Sequence, residues 1–170
     1  MNSLDQFRLE KDEFFASDLQ SPLTSNQKKN FDGLKYFVES PNLRLEIDID
    51  EFKEKSEIEI QTSTGDVRYY TRFGKIRFRV EGQETELTIY ANEFGLFIPF
   101  VDSLANLETY GAGRYLEPEL LPNGKYLVDF NLAYNPYCAY NEHWSCPLTP
   151  WENHIKVPIR AGEKIFKVSP

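Results

Sequence analysis

Residues Lys75–Tyr90, KIRFRVEGQETELTIY, decide the fold. Ile76, Phe78 and Val80 alternate with Lys75, Arg77 and Arg79, and the alternation resumes beyond Gly82 as Thr85, Leu87 and Ile89 against Glu84, Glu86 and Thr88. A period of two places successive side chains on opposite faces of a strand. A Gly82-Gln83 loop of the Gly-X kind favours a type II′ turn and pairs Glu81 with Glu84. Counting back predicts Val80 opposite Thr85, Phe78 opposite Leu87 and Ile76 opposite Ile89 on an apolar core face. Arg79 then meets Glu86, Arg77 meets Thr88 and Lys75 meets Tyr90 on the other face. The cations Arg68, Arg72, Lys75, Arg77 and Arg79 read better as a charge-balanced solvated face than as a nucleic-acid site. Arg68 or Arg72 would also suit a small anion, through the fork geometry of the guanidinium.

The period of two extends in both directions. Leu45, Ile47 and Ile49 alternate with charged residues, as do Ile58 and Ile60 with Glu57, Glu59 and Gln61, and Thr64-Gly65-Asp66 turns into Val67–Phe73, after which Gly74 precedes the hairpin. Further strands are expected over Gly95–Val101, Gly113–Leu116, Lys125–Asn131, Ile155–Ile159 and Lys164–Val168. Helices are confined to the start. Ser3 and Gln6 have capping-box spacing ahead of an amphipathic helix to about Ser17, with Leu4, Phe7, Lys11, Phe14 and Phe15 near one face. Thr24 and Gln27 repeat the box, and Gly33 stands as a C-terminal cap for a helix of about two turns. The pattern predicts a β-rich α+β fold in which N-terminal helices precede a mainly antiparallel sheet, curled into a barrel or sandwich. We read one domain over residues 1–170. Residues 1–33 form a helical segment packing on the sheet, and residues 43–168 form the β-rich body.

Composition narrows the class. The chain has 170 residues, 41% hydrophobic and 15% aromatic, with two cysteines and a formal charge of -8. That length buries a core without disulfides or metal. The apolar run Phe97–Val101 is interrupted by Pro99 and falls far short of the roughly 20 residues of a membrane helix. Charged residues interrupt the N-terminus where a secretory signal would be apolar. The expectation is a soluble cytoplasmic protein with no nucleic-acid or membrane partner and no cofactor. The net acidity lies in residues 1–110, leaving residues 111–170 neutral.

Chemistry-bearing residues concentrate between Thr109 and Lys164. Gly111-Ala112-Gly113 is a tight passage that delivers Arg114 to the start of a strand; it lacks the third glycine and the helix of a phosphate cradle. Asp129 and Asn131 share a strand face opposite Phe130, and Asn135-Pro136 opens a loop in which Tyr134, Tyr137 and Tyr140 flank Cys138. Asn131 and Asn135 would equally serve to satisfy loop backbone groups. Cys138, His143, Cys146 and His154 form a loose Cys2His2 zinc pattern. Alternatively, Cys138 is a nucleophile with His143 or His154 as base and Asn135, Asp129 or Glu152 orienting it. A Cys138–Cys146 disulfide is disfavoured in a cytosolic chain, and buried free thiols are the plainest reading of the pair.

These segments resemble the bacterial and archaeal proteins grouped as the domain-of-unknown-function 1684 family. The resemblance rests on Thr62–Gly65, Tyr110–Tyr115, Asp129-Phe130-Asn131, Asn135-Pro136, Cys138-Ala139-Tyr140, Cys146-Pro147, Glu152-Asn153 and Ile159–Lys164. It spans nearly the whole chain and implies no activity. It also implies that Cys138 and Cys146 belong to the pattern and that His143 and His154 do not, which weighs against zinc. The leading expectation is a small-molecule pocket, enzymatic or not, walled by residues 109–116 and 129–154. Arg114 would hold an anionic group, Asp129, Asn131 and Asn135 would supply polar contacts, Tyr115, Tyr134 and Tyr140 aromatic walls, and Cys138 would line the site. The alternatives are a non-catalytic structural or interaction domain, and a zinc module.

Overall fold

The computed structural model describes residues 2–167. Helix α1 (Ser3–Ser17) starts at Asn2, whose side chain accepts from the Asp5 amide at 2.8 Å; the cap is therefore one residue earlier than the expected Ser3. Helix α2 (Ser25–Lys29) has the expected capping box between Thr24 and Gln27 but stops short of Gly33. The strands are β1 (Arg44–Ile47), β2 (Asp50–Glu51), β3 (Glu57–Gln61), β4 (Val67–Val80), β5 (Gln83–Asn92), β6 (Gly95–Phe100), β7 (Arg114–Leu116), β8 (Glu119–Leu120) and β9 (Tyr126–Asp129). Among the described residues, the pairings between these strands are all antiparallel. A large sheet runs β2-β4-β5-β6-β7, with β3 also on β4, and a small sheet runs β1-β9-β8. The expected α+β, β-rich architecture is present, and its sheets are not closed into a barrel.

The hairpin differs from expectation by its turn. Val80 pairs with Gln83, Phe78 with Thr85, Ile76 with Leu87 and Arg77 with Glu86. The loop is Glu81-Gly82, with φ of 50° and 80°. Positive φ at both central positions is the type I′ arrangement, whose twist matches that of the strands. Each pairing moves by two residues, an even number, so every side chain keeps its expected face: Ile76, Phe78, Val80, Leu87 and Ile89 are all buried. Glu86 meets Arg77 at 3.1 Å and Lys75 at 3.7 Å, and Glu84 meets Arg79 at 4.0 Å, so these three cations are balanced on their own hairpin, whereas Arg72 pairs with Glu152 outside it.

Gly74, which precedes the hairpin in the sequence, lies inside one long strand. β4 continues through it with a bulge between Arg72 and Gly74. A Cβ on Gly74 would stand 2.7 Å from the Asp50 carbonyl oxygen and 2.9 Å from the Glu51 Cα, so the glycine serves the close approach of β2. Two expected strands are absent. Ile155, Val157 and Ile159 do alternate into the core, but Pro158 has no N–H, and the Ile159 amide goes to the Asp102 carboxylate at 2.8 Å instead of to a strand. Beyond Glu163, the Lys164 amide bonds to Lys35 and the Ile165 amide to Glu108, two unrelated neighbours that cannot form one ladder; Val168 lies outside the described residues. The strand expected to reach Asn131 ends at Asp129, whose carboxylate accepts from the Asn131 amide at 3.0 Å and bends the chain into a 3-10 turn, Phe130–Leu132.

The main core lies between the two sheets. It joins Ile76, Phe78, Leu87, Ile89, Ile98 and Phe100 to Val128, Phe130, Val157 and Ile159. A second cluster forms where α1 lays Phe15 on Tyr137 and Tyr140, with Leu23 and Leu34. The N-terminal helix thus covers the loop after β9.

Candidate functional site

Gly113 has φ +100°, and a Cβ on it would stand 2.6 Å from the Phe100 carbonyl oxygen. The glycine passage thus delivers Arg114 to the start of β7, as its spacing predicts. The arginine, however, points into the protein, with 1% exposure. Its guanidinium donates to the carbonyl oxygens of Ile159 at 2.9 Å, Ala161 at 2.5 Å and Glu163 at 3.0 Å, and stands 3.6 Å from the Asp102 carboxylate. Asp102 also accepts from the Thr109 hydroxyl at 2.7 Å. Burial pushes the guanidinium down to about 10, while Asp102 and Glu163 pull upward, so it remains charged at neutral pH. Its donors are engaged in ordering the strandless segment 159–163.

The polar residues after β9 have similar duties. Asn131 clamps Ser40, accepting from its amide at 2.8 Å and donating to its carbonyl at 2.9 Å, and is itself oriented by Asp129. Asp129 also faces Arg44 at 3.7 Å. Glu163, 2% exposed, is the hub of the second core: its carboxylate accepts from the Asn135 amide at 3.1 Å, from the Tyr140 hydroxyl at 2.5 Å and from Lys11 on α1. Asn135 donates to the Lys164 carbonyl at 3.0 Å. Of the expected ligand set, Arg114, Asn131, Asn135 and Tyr140 therefore face the interior, while Asp129 stands half-buried beside Arg44.

Cys138 and Cys146 do come together. The Cys138 amide stands 3.2 Å from the Cys146 sulfur, and the Tyr110 hydroxyl 3.8 Å from the Cys138 sulfur. Both thiols are free. The histidines do not join them: the His143 amide donates to Asn141, and the His154 ring lies 4.4 Å from that of Trp151 with Nε2 near the Thr149 carbonyl. Among the described residues, no three His, Cys, Asp or Glu side chains cluster as metal ligands.

Tyr115 and Tyr134 border a cavity of about 920 Å³ between the ends of β4, β5 and β6 and the chain at Pro147. Mutual backbone bonds at 2.8 and 3.1 Å hold the two residues side by side. Tyr70, Phe97, Tyr115 and Tyr134 form a continuous aromatic row with centroid spacings of 5.5, 4.8 and 5.9 Å. Glu57, Glu93, Glu117 and Arg68 stand around it. The Tyr134 hydroxyl donates to Glu117. Desolvation raises the Glu117 carboxyl, with Tyr134 and Lys11 opposing, although the side chain still reaches solvent. Arg68 is partly engaged, donating to the Ser145 carbonyl at 2.7 Å. Sequence reasoning placed Tyr115 and Tyr134 at a pocket but missed Tyr70, Phe97 and Glu117. No local signal marks them, because the wall is assembled from strands far apart in the chain.

A family model described as "Protein of unknown function (DUF1684)" matches residues 29–164. The solution NMR structure of an uncharacterised protein from Haloarcula marismortui is similar, with 34% sequence identity and a TM-score of 0.71, covering 95% of this chain and 91% of that one. No curated protein matches.

Proposed function

For this chain, which belongs to the DUF1684 family of proteins of unknown function, we propose binding of a small organic cation, an amine carried on an apolar or aromatic body, in the cavity bordered by Tyr115 and Tyr134. The supporting observation is the aromatic row Tyr70–Phe97–Tyr115–Tyr134, with three carboxylates and one arginine around it. Aromatic faces carry negative charge density that attracts ammonium groups. The acid excess, with Arg68 partly engaged elsewhere, selects for positive charge. The volume falls in the usual range for small-molecule sites, roughly 300–1,000 Å³.

The test is a matched set of benzylamine, benzyl alcohol and benzoate, measured by isothermal titration calorimetry. The expected order of affinity is benzylamine, then benzyl alcohol, then benzoate, with benzylamine binding lost in Tyr134→Ala and weakened about tenfold in Glu117→Gln, the loss of one charge-assisted contact. Equal affinity for all three, or benzylamine binding unchanged in Tyr134→Ala, removes the proposal. The interior residues Asn131, Asn135 and Arg114 support the structural alternative for their own segment. Their substitution is expected to lower stability and leave benzylamine affinity intact.

A further inference from the structure

Neither the cavity nor the interior polar network uses the two cysteines, whose surroundings are unlike those of inert core thiols. Cys138 sits in the 3-10 turn Tyr137–Ala139 and is half-buried, whereas Cys146 is buried. The turn Thr62–Asp66 holds Cys146 in place. The Ser63 hydroxyl accepts from the Cys146 amide at 3.1 Å, the Ser63 amide donates to the Cys146 carbonyl at 2.9 Å, and Asp66 accepts from Thr62, Thr64 and Ser145. The Cys146 sulfur, 3.2 Å from the Cys138 amide nitrogen, thus lies beside the residue that carries the second thiol.

We propose that Cys138 and Cys146 form a two-thiol site for small hydroperoxides, in which Cys138 is the attacking thiol and Cys146 resolves it into an intramolecular disulfide. The Cys138 thiolate attacks one peroxide oxygen, a sulfur–oxygen bond forms and the O–O bond breaks. The departing oxygen takes a proton and leaves as water or an alcohol. The resulting sulfenic acid is then attacked by the Cys146 sulfur, which gives up its proton as the S–S bond forms and the S–O bond breaks, releasing water. The two thiols lose two electrons and the peroxide gains them. A small monothiol such as glutathione, oxidised to its own disulfide, returns the site to the dithiol.

The division of labour follows from the contacts. Hydrogen bonding from the Cys146 thiol, with further support from Tyr110 and Ser63, lowers the Cys138 thiol to about 6 against the opposing effect of burial. The same contact with Cys138, together with burial, raises Cys146, which keeps its proton until the second step. The thiolate is the attacking species, so Cys138 reacts first. This inference is independent of the amine proposal, since it uses neither the aromatic row nor its carboxylates.

The experiment uses the wild-type chain treated with one equivalent of hydrogen peroxide and mapped by peptide mass spectrometry. The expected product is a single Cys138–Cys146 link within one chain, reversed by glutathione. In Cys146→Ser, dimedone is expected to trap a sulfenic acid on Cys138; in Cys138→Ser, Cys146 stays unmodified. As a readout that needs no variant, the rate of Cys138 alkylation by iodoacetamide in the wild-type chain should rise through a midpoint near pH 6 rather than near the usual thiol value of about 8.5. Links formed only between chains, Cys146 reacting before Cys138, or an alkylation midpoint near the usual value would each overturn the proposal.

Discussion

Replacing Arg114 with methionine is the most informative perturbation of this fold. The substitution keeps length and apolar volume but removes the donors to the carbonyls of Ile159, Ala161 and Glu163 and the partner of Asp102. Charge-assisted bonds contribute roughly 1.5–3 kcal/mol each, and stranding one member of a buried pair costs about 3–5 kcal/mol. These overlap, because the carbonyl bonds and the ion pair share one guanidinium, and Asp102 retains Thr109 and the Ile159 amide. A loss of about 4 kcal/mol is expected, which for a chain of this size lowers Tm by about 8–16 °C. Urea unfolding followed by both circular dichroism and fluorescence measures it. Adding Asp102→Asn to the methionine variant relieves the stranded charge, so the double variant should recover about 1–2 kcal/mol. A loss below about 1 kcal/mol for Arg114→Met, or a double variant less stable than the single one by the full cost of Asp102→Asn, would refute the assignment of this arginine as an internal strut.

Two other outcomes follow from the same contacts. Asn153, which is fully buried, accepts from the Thr88 amide at 2.8 Å and donates to the carbonyls of Thr88 and Pro99, both at 2.8 Å. Asn153→Ala should therefore cost about 3 kcal/mol by leaving those groups unpaired, read as a lower urea midpoint with unchanged slope. Glu152 is held below the usual carboxylate range: desolvation pushes it up, but hydrogen bonds from Arg72 and Tyr90 prevail. A lowered folded value means that the contribution is present above the unfolded pKa of about 4.3 and is lost as pH falls through the folded one. Glu152→Gln should accordingly be less stable at pH 7 by under about 1 kcal/mol, since the pair is partly exposed, and the two proteins should converge in acid. Thermal denaturation across pH 2–7 checks this, and a gap that widens in acid would contradict it.

The hairpin shows how far alternation carries. It determines which face each residue takes, and the two-residue error in pairing left every face correct because a strand's period divides two. What alternation cannot reveal is whether a neighbouring strand exists. Ile155, Val157 and Ile159 keep the pattern, yet the Ile155 amide goes to Val101, the Val157 carbonyl to Ser103, the Ile159 amide to the Asp102 side chain and the Ile159 carbonyl to Arg114. The tight backbone at Gly113 was legible because only glycine fits there. The direction in which Arg114 points was not, since a guanidinium beside three carbonyls from residues 159–163 has the same local sequence as one facing a ligand. The aromatic wall was half legible for a related reason. Tyr115 and Tyr134 lie in a stretch dense in polar and aromatic groups, while Tyr70 and Phe97 belong to strands where an aromatic residue already has an adequate explanation as core.

The strut also has a consequence for biosynthesis. Arg114 completes its bonds only with residues 45 to 49 positions further along, and Lys11 meets its carboxylate partner 152 positions away. A chain made from its N-terminus can pair the central hairpin early, because that pairing is local. Until residues 159–163 emerge, however, Arg114 lacks these carbonyls, and until Glu163 itself does, Lys11 and the N-terminal helix lack their anchor. A ribosome stalled before that glutamate would thus hold a formed sheet beside an undocked helix, a state that limited proteolysis of arrested nascent chains can detect as cleavage within residues 3–17 that ceases once the final segment is released.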